Sequence, residues 1–409
     1  MRLRHQLPVY SPLPLGALLR GSGALVPAGS DPRKRLLARL LERTRAEAGL
    51  LTDSGTSALR VALTLLKDQG LVPVALPGFT CYDVATAAVG ADVPVLLYDI
   101  NPRDLSPDLA SLESSLAAGA RSVVIAPLYG FPVDWDGVRA LTESQGAAVI
   151  EDAAQAHGST YGGRPWGTHG DLAILSFGRG KGWTGGGGGA LVAHDHDLAS
   201  LVGRLPSLPS GGFLGPLRDL ALAWIMWCLA RPALYGLPRS IPALGLGETR
   251  YKEPQPPHLM SRIAAALALG SEEAADREVV VRREAGEQYR EGIGASAENE
   301  SRPTIPAPVA GGSSGYLRFP VVMGGRHESL EGTLPEGLRA TGIERGYPQA
   351  LSRLPALRGR ILNPDTDLSG SADLARGVIT LPTHSRTRPS ERLRALRAVR
   401  EPARGATSV

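Results

Sequence analysis

The sequence predicts an α/β protein, with a large domain built on a mainly parallel central sheet and a smaller C-terminal α+β domain. Three observations carry this. Short apolar runs recur at 72–76, 93–99, 122–127, 147–151, 172–177 and 190–194. Helical patterns such as 56–67 and 136–145 separate several of them, the alternation expected of parallel strands joined by helical crossovers. At 409 residues the chain is also too long for one ordinary core.

The elements follow in chain order. Residues 1–30, rich in Pro and Gly, are expected to form an N-terminal arm. Residues 31–200 hold the alternating pattern of the large domain, whose active site is expected at the carboxyl ends of the strands. Residues 201–250 break the pattern as a Pro- and Gly-rich insertion containing an apolar stretch at 220–230 between Arg218 and Arg231. That stretch is too short to span a bilayer. It is expected to be a buried helix or a dimer contact; membrane contact through residues 214–236, with Trp224 and Trp227 as anchors, is the less favoured reading. Residues 251–409 form the second domain: helices at 260–269 and 272–292, a strand at 316–323, and a last helix capped by Ser390 and running to Arg400.

Composition excludes several classes. The net charge of +4 is weak over this length, and no basic run interleaves with aromatics, so nucleic acid is not implied. Cys81 and Cys228 are the only cysteines, too few for a disulfide framework; they fit a reducing compartment and a cytoplasmic protein. The N-terminus, broken by Pro8, Pro12 and Pro14, lacks the apolar core of a signal peptide. No metal is expected. Lysine is scarce: Lys34, Lys67, Lys181 and Lys252 stand among 44 basic residues. Arginine cannot form an imine and lysine can, which makes each of the four informative.

Three clusters carry chemistry. Thr52-Asp53-Ser54-Gly55-Thr56 lies where a strand meets a helix, and small hydroxyl residues at a helix N-terminus suit an anion; Ser54 as a plain N-cap is the simpler reading. Asp152 ends a strand, where a carboxylate can either keep a pyridine nitrogen protonated or simply cap the next element, whereas His157 is expected to be a satisfied core or loop residue. Finally, Ser176-Phe177-Gly178-Arg179-Gly180-Lys181 runs from a strand into a glycine-rich loop carrying a single lysine. Its spacing does not match a P-loop. Together the clusters supply a phosphate cradle, a pyridinium partner and an imine-forming lysine.

The chain resembles the DegT/DnrJ/StrS family of pyridoxal-phosphate-dependent aminotransferases, known for aminating keto-sugars on nucleotide carriers. The resemblance rests on Ser54-Gly55-Thr56, Pro77-Gly78-Phe79-Thr80, Leu128-Tyr129-Gly130, Glu151-Asp152-Ala153-Ala154-Gln155-Ala156-His157-Gly158, Gly170-Asp171, Ser176-Phe177 leading to Lys181, Gly342-Ile343 and Leu381-Pro382-Thr383-His384. It implies the fold-type-I transferase fold and a cofactor, pyridoxal 5′-phosphate, held by Lys181 as a Schiff base. It further implies that Lys181 shuttles the proton, that Asp152 pairs with the pyridine nitrogen and that Gln155 lies near the ring oxygen. The phosphate would fall to Ser54, Gly55, Thr56 and Ser176, and ring stacking to Phe79 or Tyr82.

Four features depart from the family pattern. Cys81 stands where an aromatic usually follows the Phe-Thr pair, and Gly182 where Asn often follows the lysine. Residues 257–261, Pro-His-Leu-Met-Ser, replace an Asn-Tyr-Arg-Met-Ser run whose Asn reaches the phosphate in the other subunit. Residues 201–250 look inserted. The implied reaction moves an amino group from glutamate or glutamine to a keto-sugar acceptor, nucleotide-linked, in polysaccharide or natural-product biosynthesis, by a homodimer. The alternatives are a non-sugar ketone such as a cyclitol, and a cofactor-binding scaffold without turnover. Dehydration by some relatives uses a histidine in place of the lysine, and Lys181 argues against it.

Overall fold

A computed structural model describes residues 5–26, 29–212, 215–239, 249–294, 303–323 and 334–400. The arm contributes helix α1 (Leu15–Gly23), followed by α2 (Pro32–Thr44). The large domain then runs β1 (Ala48–Thr52), α3 (Gly55–Asp68), β2 (Val74–Pro77), α4 (Tyr82–Ala91), β3 (Val95–Tyr98), α5 (Leu109–Ala117), β4 (Ser122–Ile125), α6 (Trp135–Ser144) and β5 (Ala148–Asp152). A small hairpin, β6 (Thr160–Tyr161) and β7 (Arg164–Pro165), precedes β8 (Leu172–Ser176), β9 (Gly189–Ala193) and α7 (His196–Arg204). Helices α8 (Gly215–Leu229) and α9 (Pro232–Arg239) lie in the insertion, and α10 (Arg262–Ile293) leaves it. The C-terminal part holds β10 (Gly312–Ser313), β11 (Phe319–Val322), α11 (Glu336–Arg339), β12 (Glu344–Arg345), α12 (Ser369–Gly377), β13 (Val378–Leu381) and α13 (Pro389–Arg400).

Seven strands form the main sheet in the order β1-β9-β8-β5-β4-β2-β3. The β3-β2-β4-β5-β8 pairs are parallel, and β9 alone runs antiparallel to its neighbours. Every residue of β2, β3 and β4 is buried, as helices on both faces require. The six apolar runs are thus six strands of a mostly parallel sheet. β1 escapes that pattern because it is an edge strand that starts with Ala48 and Gly49. A second sheet, β11-β13-β12, is antiparallel. Its Phe319, Val321 and Leu381 share one apolar cluster with Ala75, Leu96 and Val123 of the main sheet, so the two sheets are joined through packed side chains.

Two expectations need correction, and a third is met only in part. The helices expected at 260–269 and 272–292 are one helix of 32 residues, α10. Gly270 is no break: a Cβ there would meet Ala17 Cα and Cβ at 2.8 Å, so the glycine lets α1 cross α10 closely. The last helix starts at Pro389, one residue before Ser390, and the Glu391 carboxylate accepts from the Arg388 N–H at 2.8 Å as the helix opens. Helix α8 is neither buried nor free. Ala223 is its one fully buried residue and packs with Leu18, Ile263 and Leu267, while Leu217, Leu222 and Ile225 stay exposed. Among the described residues, no helix is long and apolar enough to cross a membrane.

Candidate active site

The carboxyl ends of β5 and β8 and the N-terminus of α3 open on one pocket. Its wall includes Gly55, Thr56, Thr80, Cys81, Asp152, Gln155, Ser176 and Lys181. Segments that begin near residues 55, 152 and 176 therefore meet at one place.

The α3 end is shaped for an anion. Ser54 caps the helix, its Oγ accepting from the Ser57 N–H at 3.1 Å, so its hydroxyl is committed to the helix and lies outside the lining. Gly55, Thr56 and Ser176 line the pocket as expected. A Cβ at Gly55 would meet the Ser176 Cβ at 2.8 Å; only glycine lets the first turn sit this close to the end of β8. The Thr56 and Ser176 hydroxyls make no hydrogen bond to another described residue, and first-turn helix N–H groups lack helical partners.

Strand alternation sorts the two acids of β5. Glu151 turns away and braces the next loop, accepting from the Gly167 N–H at 2.7 Å and the His169 N–H at 2.9 Å; burial pushes its pKa up to about 7. Asp152 turns to the pocket and accepts one hydrogen bond, from the Ala154 N–H at 3.2 Å. Burial holds its pKa above the usual carboxylate range, against the opposing charge of Lys181. A buried carboxylate with so little compensation suits a cationic partner such as a protonated pyridine nitrogen. Gln155 is fixed from two sides: its Nε2 donates to the Tyr347 hydroxyl at 2.6 Å and its Oε1 accepts from the Tyr129 N–H at 3.3 Å.

The expected stacking aromatics are elsewhere. Phe79 is fully buried and packs edge-on to Tyr347, with centroids 5.3 Å apart. Tyr82 is also buried, its hydroxyl bonded to the Gln349 backbone. Residues 79 and 82, three apart at the entry to α4, turn inward together, and Cys81 between them faces the pocket. Burial pushes the Cys81 thiol up to about 12, so it is a neutral wall. His157 lies outside the lining; it is buried, held neutral with a pKa pushed down to about 4 by burial, and its carbonyl accepts from Arg282 at 2.8 Å.

The His258 backbone meets Asp53, whose N–H donates to the His258 carbonyl at 2.8 Å, so the 257–261 segment borders the α3 end of its own subunit. Sequence reasoning missed Thr80, Asp83, Ala126 and Pro127 in the wall, and Tyr347 and Ser11 behind it. Thr80 falls within the Pro77-Gly78-Phe79-Thr80 motif, whereas Tyr347, after Gly346 in an irregular loop, and Ser11, in the arm, have no sequence signal.

The family model for the DegT/DnrJ/EryC1/StrS aminotransferases matches residues 31–209 and 257–400. The chain belongs to that family. Its enzymes are aminotransferases that use pyridoxal 5′-phosphate, and the cradle, carboxylate and lysine described above fit that cofactor. The gap between the matched blocks falls on the insertion. Residues of the chain are 36% identical over 152 positions to the L-glutamine:2-deoxy-scyllo-inosose aminotransferase of Streptoalloteichus tenebrarius, covering 37% of the chain and 36% of that protein. They are 33% identical over 151 positions to the UDP-N-acetyl-3-dehydro-alpha-D-glucosamine 3-aminotransferase of Acidithiobacillus ferrooxidans, covering 37% and 41%. The matches thus span about two-fifths of these relatives or less. The fold is that of the crystal structure of AtS13 from Actinomadura melliaura, with TM-score 0.72 at 20% identity over 97% of this chain and 98% of that one.

Proposed function

We propose that this chain transfers an amino group from glutamine or glutamate to a ketone on a polyhydroxylated six-membered ring. The observation that carries the reading is the meeting of Lys181, Asp152 and the α3 N-terminus around one pocket. Pyridoxal phosphate, when bound, supplies an aldehyde for amines and a ring that spreads negative charge. The first turn of α3, with Thr56 and Ser176, would hold the phosphate. Asp152 would keep a proton at the ring nitrogen through charge. Lys181 Nζ would supply the tethering amine and act as the base that moves a proton at the substrate carbon.

Two acceptor classes have support. A nucleotide-linked keto-sugar is the first, backed by the UDP-sugar relative. A free inosose is the second, backed by the relative whose name also specifies glutamine as donor. The proposed working unit is a homodimer, which light scattering at micromolar concentration checks.

The test is an absorbance titration with pyridoxal phosphate, wild type beside Lys181→Ala, then addition of glutamine or glutamate. The wild type is expected to develop a visible band of lysine-bound cofactor that an amino donor bleaches, and the variant to lack that band. Scyllo-inosose and UDP-linked 3-keto-sugar, added to the donor-treated enzyme, then divide the acceptor classes by which restores the band. Cofactor binding with no response to any donor would favour a scaffold, and no binding would sink the reading.

A further inference from the structure

The arm is tied at both ends and once between them, at the lysine loop. Near its start, the Gln6 N–H donates to the Ala340 carbonyl at 3.1 Å and Gln6 Nε2 to Thr387 Oγ1 at 2.9 Å. The Leu7 carbonyl accepts from His384 Nε2 at 2.8 Å, and the Tyr10 ring meets His384 edge-on. These partners all belong to the C-terminal part of the chain. Beyond them, Leu13, Ala17 and Leu18 pack on Ile263 and Leu267 of α10.

Between the two anchors sits Ser11. Its Oγ accepts from the Gly180 N–H at 3.1 Å and donates to the Lys181 carbonyl at 2.7 Å. One hydroxyl thus bridges the Arg179–Gly180 and Lys181–Gly182 peptide groups, which bracket Gly180 and Lys181. The loop needs an external restraint. It is rich in glycine, and its own tie at the lysine is a long 3.4 Å contact from the Lys181 N–H to the Gly178 carbonyl. Firmer anchors come only later, where Trp183 Nε1 donates to the Ala268 carbonyl at 2.8 Å and the Gly185 N–H to the Phe177 carbonyl at 2.9 Å. Glycine-rich backbone loses much entropy when held in one conformation. A hydroxyl that both accepts and donates across the lysine limits where its side chain starts.

We infer that Ser11 is a positioning residue for Lys181, and that residues 5–14 are a strap coupling the C-terminal part of the chain to the lysine loop. The inference rests on Lys181 being the cofactor-bearing lysine. Its structural half, restraint of the loop by Ser11, does not.

The experiment uses the full chain with Ser11→Ala and Ser11→Thr, the second keeping the hydroxyl. Hydrogen exchange without cofactor reads the strap directly. Residues 178–182 should exchange roughly tenfold faster in Ser11→Ala, from two lost hydrogen bonds of modest net worth. Ser11→Thr should stay within about twofold of wild type, and α3 and β5 should be unchanged in both. A pyridoxal phosphate titration reads the consequence: apparent affinity falls about tenfold in Ser11→Ala and is restored in Ser11→Thr, with a matching change in the pH midpoint of the visible band. Unchanged exchange at 178–182 would overturn the strap, as would equal acceleration across α3 and β5, which marks general loss of structure. Faster loop exchange with unaltered cofactor affinity and pH midpoint would overturn the positioning role. Absence of cofactor binding in the wild type would count against the proposed function and leave the exchange result standing.

Discussion

Replacing His384 with Gln isolates the effect of one proton on stability. His384 is buried and its Nε2 donates to the Leu7 carbonyl at 2.8 Å. Burial, helped by the charges of Arg392 and Arg386 and opposed by the Leu7 bond, pushes its pKa from 6.5 down to about 4. The unfolded chain therefore takes up a proton below about pH 6.5 that the folded chain refuses until about pH 4. Within that window the unfolded state binds more protons, so stability is present above it and is lost as the pH falls through it. Between about pH 7 and about pH 5 the loss from this one site is about 2 kcal/mol. Glutamine keeps a donor near the Nε2 position and does not titrate. Urea unfolding of both proteins at the two pH values gives four stabilities. The wild type should lose about 2 kcal/mol more than His384→Gln, since every other titrating group is common to both. Equal losses would show that His384 is not held neutral, and the reasoning from burial would fail.

Other outcomes are expected. Asp152→Asn should slow the bleaching of the cofactor band by an amino donor about 100-fold or more in stopped-flow absorbance, because a neutral amide gives little charge support to a protonated ring nitrogen; an unchanged rate would remove Asp152 from its role. Gly270→Val should destabilise the protein by about 1–3 kcal/mol in urea unfolding, since the new side chain must displace α1 at Ala17; an unmoved midpoint would mean that the crossing is loose. Tyr347→Phe removes the acceptor of Gln155 Nε2 and should cost about 1 kcal/mol, read as a lower melting temperature with the fold otherwise intact.

What the sequence reveals here follows the range of the interactions. The buried strands are legible because apolar runs of fixed length report burial on both faces, and Asp152, Ser176 and Lys181 are legible because each sits at or just after a strand end. The helix boundary within α10 is misread for a local reason: Gly270 looks like a stop, and its real purpose is contact with Ala17, about 250 positions away. Phe79 and Tyr82 face inward and Cys81 the pocket because the turn into α4, which no residue type announces, decides which of residues 79–82 lines it. Tyr347 and Ser11 are invisible because each meets the site through one hydroxyl and a long chain separation.

Helix α10 has a consequence for how sequences of this kind can drift. Its 32 residues make a rod about 48 Å long. Its first half packs on α1 and α8 at Ile263 and Leu267 and is ion-paired to α2 through Glu272 and Asp276, and its second half meets α13 at Gln288 and Gly292. A single inserted residue between the two grips would turn one half about 100° against the other and carry it 1.5 Å along the axis. Arg282 would then leave the His157 carbonyl, and Tyr289 would leave the Pro382 carbonyl to which its hydroxyl donates at 2.9 Å. Length between Ser261 and Tyr289 is thus under strict constraint, whereas the family match is interrupted between residues 209 and 257, ahead of the segment that meets Asp53.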